Sequence, residues 1–418
     1  MVKILEDLKD RGLIYQATNL KGLEERLKKG KLVLYCGFDP TAPSLHIGHL
    51  LPLITLKRFA LFQQNPIVLI GGGTGLIGDP SGKREERPLL EEKRVKEWSA
   101  SLKQQIKKIF QDTNLVVLNN NQWLNREKLV TFLRETGKYF TVSYMLSKES
   151  VKNRLEEGLS FTEFSYMLLQ ANDFYQLAKK YHCELQIGGS DQWGNITAGI
   201  DLIKKRLNQE VFGLSLPLLT KEDGTKFGKT EQGTIWLDAK LTTPYQFYQF
   251  WFQTSDQEVI PYLKYFTFLS AAQIENLAQK VQFQPEKREA QRVLAFEVTQ
   301  FIHGKEESQR AEKISQKLFY GEIEKLTEAE LTTAFRAVPT TILRQQREIL
   351  LVDLLVESGI SSSKRQARED LQSHSISMNG KICDQVNQII SPKDCLFGRY
   401  LILKKGKKNY HLVTWLKS

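Results

Sequence analysis

Cysteine is scarce in this chain, and long hydrophobic runs and repeated segments are absent. No run approaches the roughly 18 apolar residues that a membrane-spanning helix needs. The charged first residues, MVKILEDLKDRG, lack the apolar core of a signal peptide. The four cysteines form no CxxC pair, which disfavours a zinc site or a disulfide framework and makes a reducing cytoplasm the expected compartment. They are Cys36, Cys183, Cys383 and Cys395.

Acidic side chains are outnumbered, since 59 Lys and Arg stand against 48 Asp and Glu and give a net charge of +11. Residues 391–418 carry seven basic side chains and Asp394 as the single acid. A well-solvated surface would explain the overall excess, whereas this local concentration favours contact with a phosphate backbone. Aromatic side chains alternate with the basic ones, namely Phe397, Tyr400, Tyr410 and Trp415.

Short apolar runs alternate with helical stretches in the first half of the chain, which predicts an α/β domain with a parallel sheet covered on both faces. Ligands of such sheets bind beyond the carboxyl ends of the strands. Tyr35 and the segments 71–79 and 188–192 fall at those ends, so we expect them to surround one crevice. The apolar runs are 32–35, 66–70, 115–118 and 183–187.

The pattern changes three times in the second half of the chain. We predict an α/β domain over residues 1–235, a helical domain over 236–325, a polar linker over 326–348 and a small α+β domain over 349–418. The last part begins with two short helical stretches, which strand-like pieces follow.

Three polar side chains share one face of a helix predicted over residues 161–180, because Tyr166, Gln170 and Asp173 stand at i, i+4 and i+7. An exposed polar face would be the plainer explanation. Apolar neighbours indicate instead that part of the helix is buried, and a buried phenol, amide and carboxylate need partners that a small polar ligand could supply. These neighbours are Met167, Leu168, Leu169 and Phe174.

A glycine-rich segment follows the second strand and matches the GxGxxG pattern of dinucleotide-binding oxidoreductases at residues 73–78. That interpretation is disfavoured, because Asp79-Pro80 stands where a helix should already run. Residues 78–83 also miss the phosphate-loop pattern by one residue, and Arg84 replaces its Ser or Thr. The segment better fits a loop whose backbone can approach a ligand closely, with Asp79 as an acceptor.

Residues 186–195 are dense in glycines and hydrogen-bonding groups directly after a strand. A plain turn needs fewer of both, whereas the wall of a binding site uses glycines for close backbone approach. We expect Asp191 and Gln192 to hold hydroxyls or an ammonium group.

Two histidines and two lysines repeat one spacing at distant places, His46 with His49 and Lys226 with Lys229. Helix capping after Ser44 or metal binding could explain the histidines alone, although no third metal ligand lies nearby. At a helix N-terminus they favour an anion, and lysines on a mobile loop can close onto a phosphate in a transition state. Together the pairs predict ATP phosphates held from two segments.

These segments together resemble bacterial tyrosyl-tRNA synthetases, a family of class I aminoacyl-tRNA synthetases, over essentially the whole chain. The resemblance rests on PTAPSLHIGH (40–49), KFGKT (226–230), GGGTGLIGDPSGK (71–83), SYMLLQANDF (165–174) and QIGGSDQWGNI (186–196). It implies a Rossmann-like catalytic domain. Residues 363–368 (SKRQAR) through 376–380 (ISMNG) are similar to an RNA-binding domain of a ribosomal protein, which implies RNA binding by 349–418.

The resemblance implies a tyrosine–tRNA ligase that activates L-tyrosine with Mg–ATP and transfers it to tRNA(Tyr), working as a cytoplasmic homodimer without a tightly bound cofactor. A catalytically inactive RNA-binding paralogue is the alternative from another class, and intact His46, His49, Lys226 and Lys229 argue against it.

Site residues carry over from the family by motif. The implied tyrosine ligands are Tyr35 and Asp173 at the phenolic hydroxyl and Asp79, Tyr166 and Gln170 at the ammonium group, with Gln192 beside them. The implied ATP ligands are Thr41, His46 and His49 at the phosphates, Gly48 at adenine, Asp191 and Gln192 at the ribose and adenylate, and Gly37 and Asp39. Lys226, Lys229 and Thr230 would clamp pyrophosphate, with Lys83 and Arg87 closing over it. Pro52 follows His49 within the predicted helix and lacks a backbone N–H, so it could disturb the helix and the ATP contacts nearby.

Overall fold

The structure is a computed structural model that describes residues 3–81, 88–155, 158–219, 227–230, 233–336, 338–343, 348–406 and 409–416. The chain folds into two compact units. The first unit comprises Met1–Thr242 and Thr254–Leu294, and the second comprises Thr243–Gln253 and Ala295–Ser418. Within the described residues no helix is both long and apolar enough to span a membrane.

The helices of the described residues are α1 (Lys3–Asp10), α2 (Leu20–Lys28), α3 (Leu50–Leu61), α4 (Glu92–Ile109), α5 (Asn121–Leu124), α6 (Leu129–Glu135), α7 (Val142–Leu146), α8 (Glu149–Leu155), α9 (Phe161–Tyr181), α10 (Trp193–Leu207), α11 (Pro244–Phe252), α12 (Asp256–Phe266), α13 (Ala271–Phe283), α14 (Glu289–His303), α15 (Lys305–Phe319), α16 (Glu328–Ala334), α17 (Leu351–Glu357) and α18 (Lys364–Gln372).

The strands are β1 (Gln16–Ala17), β2 (Val33–Phe38), β3 (Asn65–Ile70), β4 (Val116–Asn119), β5 (Cys183–Gly189), β6 (Phe212–Leu216), β7 (Lys229–Thr230), β8 (Gly233–Thr234), β9 (Thr340–Leu343), β10 (Ile349–Leu350), β11 (Ile376–Met378), β12 (Lys381–Ile382), β13 (Ile389–Ile390), β14 (Tyr400–Lys405) and β15 (Asn409–Trp415).

A six-stranded sheet in the order β1-β6-β5-β2-β3-β4 forms the centre of the first unit. All adjacent strands of this sheet pair in parallel except β1, which runs antiparallel to β6. The predicted parallel sheet is confirmed, and the four predicted runs correspond to β2, β3, β4 and β5. The chain order of the strands changes direction between β2 and β5, which is where ligands of open α/β sheets bind.

The helix predicted from about Ser44 begins later than expected. A short 3₁₀ turn covers Ile47–His49, and α3 starts only at Leu50. Ser44 is buried, and its hydroxyl donates to the Leu45 carbonyl oxygen instead of capping the helix (2.7 Å). The cap is His46, in extended conformation, whose side chain accepts from the Gly48 N–H. Capping is therefore one real function of this histidine.

The second unit contains a five-stranded sheet in the order β12-β11-β14-β15-β9. Strand β9 pairs in parallel with β15, and α16 precedes it. The segment 326–348, predicted as a linker, therefore carries secondary structure that belongs to this sheet, while the four-part domain division itself stays a prediction. Phe335 and Leu331 pack with Ile402 and Leu412 in one apolar cluster, which explains why the segment folds here.

Candidate active site

A cavity of about 530 Å³ lies at the carboxyl ends of β2 and β5. Of the residues predicted to bind a ligand, those that line it are Tyr35, Gly37, Asp39, Thr41, His46, Gly48, His49, Asp79, Tyr166, Gln170, Asp173, Asp191 and Gln192. Lys83, Arg87 and Lys226 lie outside the described residues, as do the side chains of Lys229 and Thr230. The strand-end segments expected to share a crevice do so.

Asp173 on α9 is 3% exposed and is held by two donors that the sequence did not single out. Asn120 donates to one of its oxygens (Nδ2 to Oδ2, 2.8 Å), and the indole of Trp123 donates to the other (Nε1 to Oδ1, 2.7 Å). Burial raises the pKa of this carboxyl to about 7, although the two hydrogen bonds act in the opposite direction. The carboxylate is thus fixed in orientation and has lone pairs left for a ligand.

A second carboxylate, Asp39, is joined to Asp173 through side-chain hydrogen bonds. The Tyr166 hydroxyl donates to Asp39 (Oδ2, 2.8 Å), and so does the Thr74 hydroxyl (Oδ1, 2.7 Å). Asn120 then donates to the Thr74 hydroxyl (2.9 Å). We call these connected residues the carboxylate cluster; its members are Asp39, Thr74, Asn120, Trp123, Tyr166 and Asp173.

Gly71 allows Asp39 and Thr74 to approach each other. A Cβ atom on Gly71 would overlap the Asp39 carboxylate and the Thr74 hydroxyl. The glycine that follows β3 is therefore needed for the packing of the carboxylate cluster, which supports the interpretation of segment 71–79 as a loop of close approach.

Tyr35 on β2 presents a hydroxyl to the cavity that finds no hydrogen-bond partner among the described residues. The residue is 1% exposed, and its ring packs against Phe174 at a centroid distance of 5.3 Å. Burial, followed by the charge of Asp173, raises the pKa of the Tyr35 hydroxyl well above its usual value. A buried hydroxyl without a partner costs free energy, so a polar group of a ligand is the natural partner here.

Two of the predicted ammonium-binding residues, Asp79 and Gln170, are joined through the amides of Gln192 and Asn195. Gln192 donates to Asp79 (Nε2 to Oδ2, 2.7 Å), and Asn195 donates to the Gln170 amide oxygen (3.1 Å). Asp79 is 8% exposed and also accepts from the backbone N–H of Ser81 (3.0 Å). This part of the cavity is rich in acceptor oxygens, as a cationic ligand group requires.

Residues 46–49, which we call the histidine turn, fix both imidazole rings through backbone groups. The Gly48 N–H donates to Nδ1 of His46, and the His46 N–H donates to Nδ1 of His49, both at 3.1 Å. The ring centroids lie 3.9 Å apart. Since both Nδ1 atoms accept, each neutral ring carries its proton on Nε2, the nitrogen that can donate to an anionic oxygen.

The second predicted signature reaches the histidine turn through its glycine. Gly228 has φ +87°, and a Cβ atom there would overlap Cγ2 of Ile47. The Ile235 N–H donates to the Gly228 carbonyl oxygen (3.3 Å), while the Ile47 N–H donates to that of Ile235 (3.0 Å). The described part of the second signature therefore meets the histidine turn at Gly228.

Comparison with known proteins identifies the family to which a chain with this site belongs. The family model described as "tRNA synthetases class I (W and Y)" matches residues 27–320. The chain belongs to the class I tRNA synthetases. A further model, described as the "Tyrosine--tRNA ligase SYY-like C-terminal domain", matches residues 330–413. The resemblance drawn from the motifs is confirmed.

Individual relatives support the family assignment over the full length. The chain is 50% identical to tyrosine–tRNA ligase 1 of Bacillus subtilis, over 99% of this chain and 100% of the relative. It is 51% identical to tyrosine–tRNA ligase of Geobacillus stearothermophilus, over 99% of each. A C-terminally truncated mitochondrial tyrosyl-tRNA synthetase of Aspergillus nidulans superposes with a TM-score of 0.69 at 33% identity, covering 76% of this chain and 94% of that one.

Within this class I synthetase, Asn120 and Trp123 are the site residues that the sequence motifs missed. Asn120 follows directly after β4, so the strand-end rule that found Tyr35 could have found it as well, whereas Trp123 lies in the short helix α5 that comes next. Asn195 was expected only as part of a polar segment. Pro52 stands in the first turn of α3 and lines the cavity, and the helix continues through it to Leu61. Its missing N–H falls where helices have no internal acceptor.

Among the described residues, no group of three or more His, Cys, Asp or Glu side chains could hold a metal ion. The dinucleotide interpretation of residues 73–78 fails on structure as it did on sequence. Thr74–Leu76 is a short 3₁₀ turn, and the next α-helix of the described residues begins only at Glu92.

Proposed function

We propose that the chain is a tyrosine–tRNA ligase. It joins the carboxylate of L-tyrosine to the α-phosphate of ATP, and then transfers the tyrosyl group to the 3′ end of tRNA(Tyr). The observation that carries this proposal is the Tyr35 hydroxyl, buried without a partner among the described residues in the cavity that Asp173 also lines. The names of the relatives with nearly complete coverage support it.

Tyrosine is recognised by its phenolic hydroxyl. The phenolic hydroxyl donates to the Asp173 carboxylate and accepts from the Tyr35 hydroxyl. The ammonium group of the tyrosine substrate contacts Asp79, Tyr166 and Gln170. Phenylalanine would leave the buried Tyr35 hydroxyl without a partner and could not donate to the Asp173 carboxylate, a form of discrimination of which tyrosyl-tRNA synthetases are the standard example.

Activation requires positioning and charge stabilisation at phosphorus, and no nucleophilic side chain. A carboxylate oxygen of tyrosine forms a bond to the α-phosphorus, and the bond from that phosphorus to the bridging oxygen breaks, so pyrophosphate leaves with the electron pair. Nε2–H groups of His46 and His49 donate to the phosphates, and Lys226, Lys229 and Thr230 clamp the leaving group. Mg²⁺ enters with ATP as part of the substrate.

Thr41 joins the histidines at the phosphates, and Gly48, which is exposed in the cavity, leaves space for adenine. Asp191 and Gln192 hold the ribose and the adenylate, with Gly37 and Asp39 on the adjoining strand end. Lys83 and Arg87 close over the pyrophosphate.

The tRNA is bound in part by residues 349–418. Exposed cations cluster at the start of α18, where Lys364, Arg365 and Arg368 all face solvent. Replacing the three with alanine should raise the Kd for tRNA about a hundredfold at moderate salt and reduce its salt dependence. Tyrosine-dependent pyrophosphate exchange should stay unchanged, and an equal loss of both would contradict the division of labour.

We also propose a homodimer in the cytoplasm. Apolar side chains are exposed on neighbouring elements of the first unit whose inner faces share one core: Leu129, Val130, Leu133, Val142 and Phe161. A second copy would cover them. The four cysteines are free thiols, as expected in a reducing compartment. Phe161→Glu should halve the mass measured by light scattering, and an unchanged mass for Leu129→Glu and Phe161→Glu together would contradict this interface.

Tyrosine-dependent exchange of radiolabelled pyrophosphate into ATP tests the activation step. We expect exchange with tyrosine and none without an amino acid. Absence of exchange in the intact chain would contradict the ligase and favour an RNA-binding paralogue without catalysis.

A further inference from the structure

Phe227 lies between Lys226 and Gly228 and is held by two aromatic side chains of α12. Its ring stacks on Phe266 at 5.6 Å with an interplanar angle of 9°, and meets Tyr262 edge-on at 5.3 Å. Tyr262 and Phe266 are themselves buried and in edge contact with each other. Both geometries are favourable for aromatic pairs, so Phe227 has a defined seat on α12. The ring also lines the cavity.

Two arginines attach the end of α12 to α1 and α3. Arg58 of α3 is 3% exposed and donates to the Thr267 carbonyl oxygen, and Arg11 donates to the carbonyl oxygens of Lys264 (3.1 Å) and Leu269 (2.7 Å). Asp7 of α1 accepts from both, at 2.6 Å from Arg11 and 3.1 Å from Arg58. Cations at a helix C-terminus are favourable.

Helix α3 therefore connects the two parts of the site. It is attached to α12, which Phe227 contacts, and it begins directly after the histidine turn. Two consecutive residues of the second signature are fixed at these two places. Phe227 packs on α12, and Gly228 packs on Ile47. Lys226 and Lys229 flank this dipeptide in sequence, so its placement limits where both can reach.

We propose that Phe227 is a positioning residue for amino-acid activation: its aromatic seat on α12 fixes the second signature against the histidine turn. The proposal rests on the function proposed above. Phe227 supplies no chemistry of its own; it acts through the neighbouring lysines, whose charge must meet the leaving pyrophosphate. A displacement of about 1 Å at such groups is sufficient to slow a reaction about a hundredfold.

The test measures the single-turnover rate of tyrosyl-adenylate formation and the Kd for tyrosine on the full chain. Phe227→Ala should lower the rate about a hundredfold while the tyrosine Kd changes less than about twofold. Phe227→Leu, which retains apolar volume but loses the ring, should give an intermediate rate. Phe283→Ala is the control, because Phe283 on α13 is 74% exposed, and it should match the wild type.

A double-mutant cycle with Phe266 distinguishes positioning from general loss of stability. Phe266→Leu should lower the rate in the same direction, and Phe227→Ala/Phe266→Leu should be no slower than the slower single variant, since both changes remove one contact. Thermal unfolding checks that each variant is folded at the assay temperature. A wild-type rate in Phe227→Ala, or additive losses in the cycle, would overturn the proposal. No exchange in the wild type would instead overturn the proposed function.

Discussion

In the carboxylate cluster the functional side chains are fixed by hydrogen bonds from other side chains. In the histidine turn the two imidazole rings are fixed by hydrogen bonds from backbone N–H groups. Asp173 receives an amide and an indole donor and is nearly excluded from solvent. His46 and His49 are partly exposed and are fixed by N–H groups within their own turn. The first arrangement suits discrimination of one ligand hydroxyl, because every buried group needs its partner. The second arrangement suits phosphates, whose oxygens need hydrogen-bond donors but not a closely fitting pocket.

This difference predicts that changes in the two regions separate binding from rate. Substitutions in the carboxylate cluster should weaken tyrosine binding and specificity. Substitutions at the histidine turn should slow adenylate formation and leave tyrosine binding unchanged. Two substitutions test this separation in order of decreasing effect, and a pH experiment then tests the environment of Asp173.

Asp173→Ala should have the largest effect, because it removes the acceptor of the substrate hydroxyl and deprives the buried Asn120 and Trp123 donors of the carboxylate they bind. We expect kcat/KM for tyrosine to fall at least about a hundredfold, while the Kd for tRNA is unchanged. Asp201→Ala is the matched control, since it also removes a carboxylate that accepts from a tyrosine hydroxyl, that of Tyr144 at 2.8 Å, but outside the cavity. Equal losses in activation and tRNA binding would show that Asp173 is structural.

Gly228→Ala should act on the rate alone. The added methyl group would overlap Ile47, and φ +87° strains any L side chain, so the second signature must shift from the histidine turn. We expect single-turnover adenylate formation to slow about tenfold or more with an unchanged tyrosine Kd.

Gly233→Ala is the control for Gly228→Ala because Gly233 has φ +105°, but no atom of the described residues lies within 4 Å of its Cβ position. It carries the strain without the collision. A rate loss as large as that of Gly228→Ala would show that strain in the hairpin, and not contact with Ile47, limits activity.

The third test measures stability instead of activity, through its dependence on pH. The pKa of Asp173 is raised from 3.8 to about 7, so the folded chain binds a proton that the unfolded chain has lost between these values. Stability from this group is greatest below the unfolded pKa and falls as pH rises through the folded pKa. The Tm of the wild type should therefore drop relative to that of Asp173→Asn as pH rises from about 4 to 7. A difference that is constant over this range would contradict the raised pKa.

The sequence predicted the parallel sheet and the crevice because both follow from local patterns and a general rule of α/β topology. It also predicted that the histidines and lysines act together, and this stays a prediction, although Gly228 of the second signature lies against Ile47. It did not reveal Trp123 as a donor to Asp173, because a tryptophan after a strand has no feature that marks it as polar in function. Tertiary hydrogen bonds decide that function.

Helix boundaries and the segment 326–348 show a second limit of prediction. The side chains of His46 and His49 cap the 3₁₀ turn Ile47–His49, so α3 itself begins only after this turn and not near Ser44. Strand β9 is short and mostly exposed, and it forms because β15 offers it a parallel edge. Such long-range pairing leaves little periodicity in the sequence.

Recognition of the phenolic hydroxyl is tested best by pyrophosphate exchange measured with tyrosine and with phenylalanine on the same preparation. We expect exchange with tyrosine and far less with phenylalanine in the wild type, and loss of that preference when Tyr35→Phe and Asp173→Ala are combined. Comparable exchange with both amino acids in the wild type would contradict recognition of the hydroxyl by Tyr35 and Asp173.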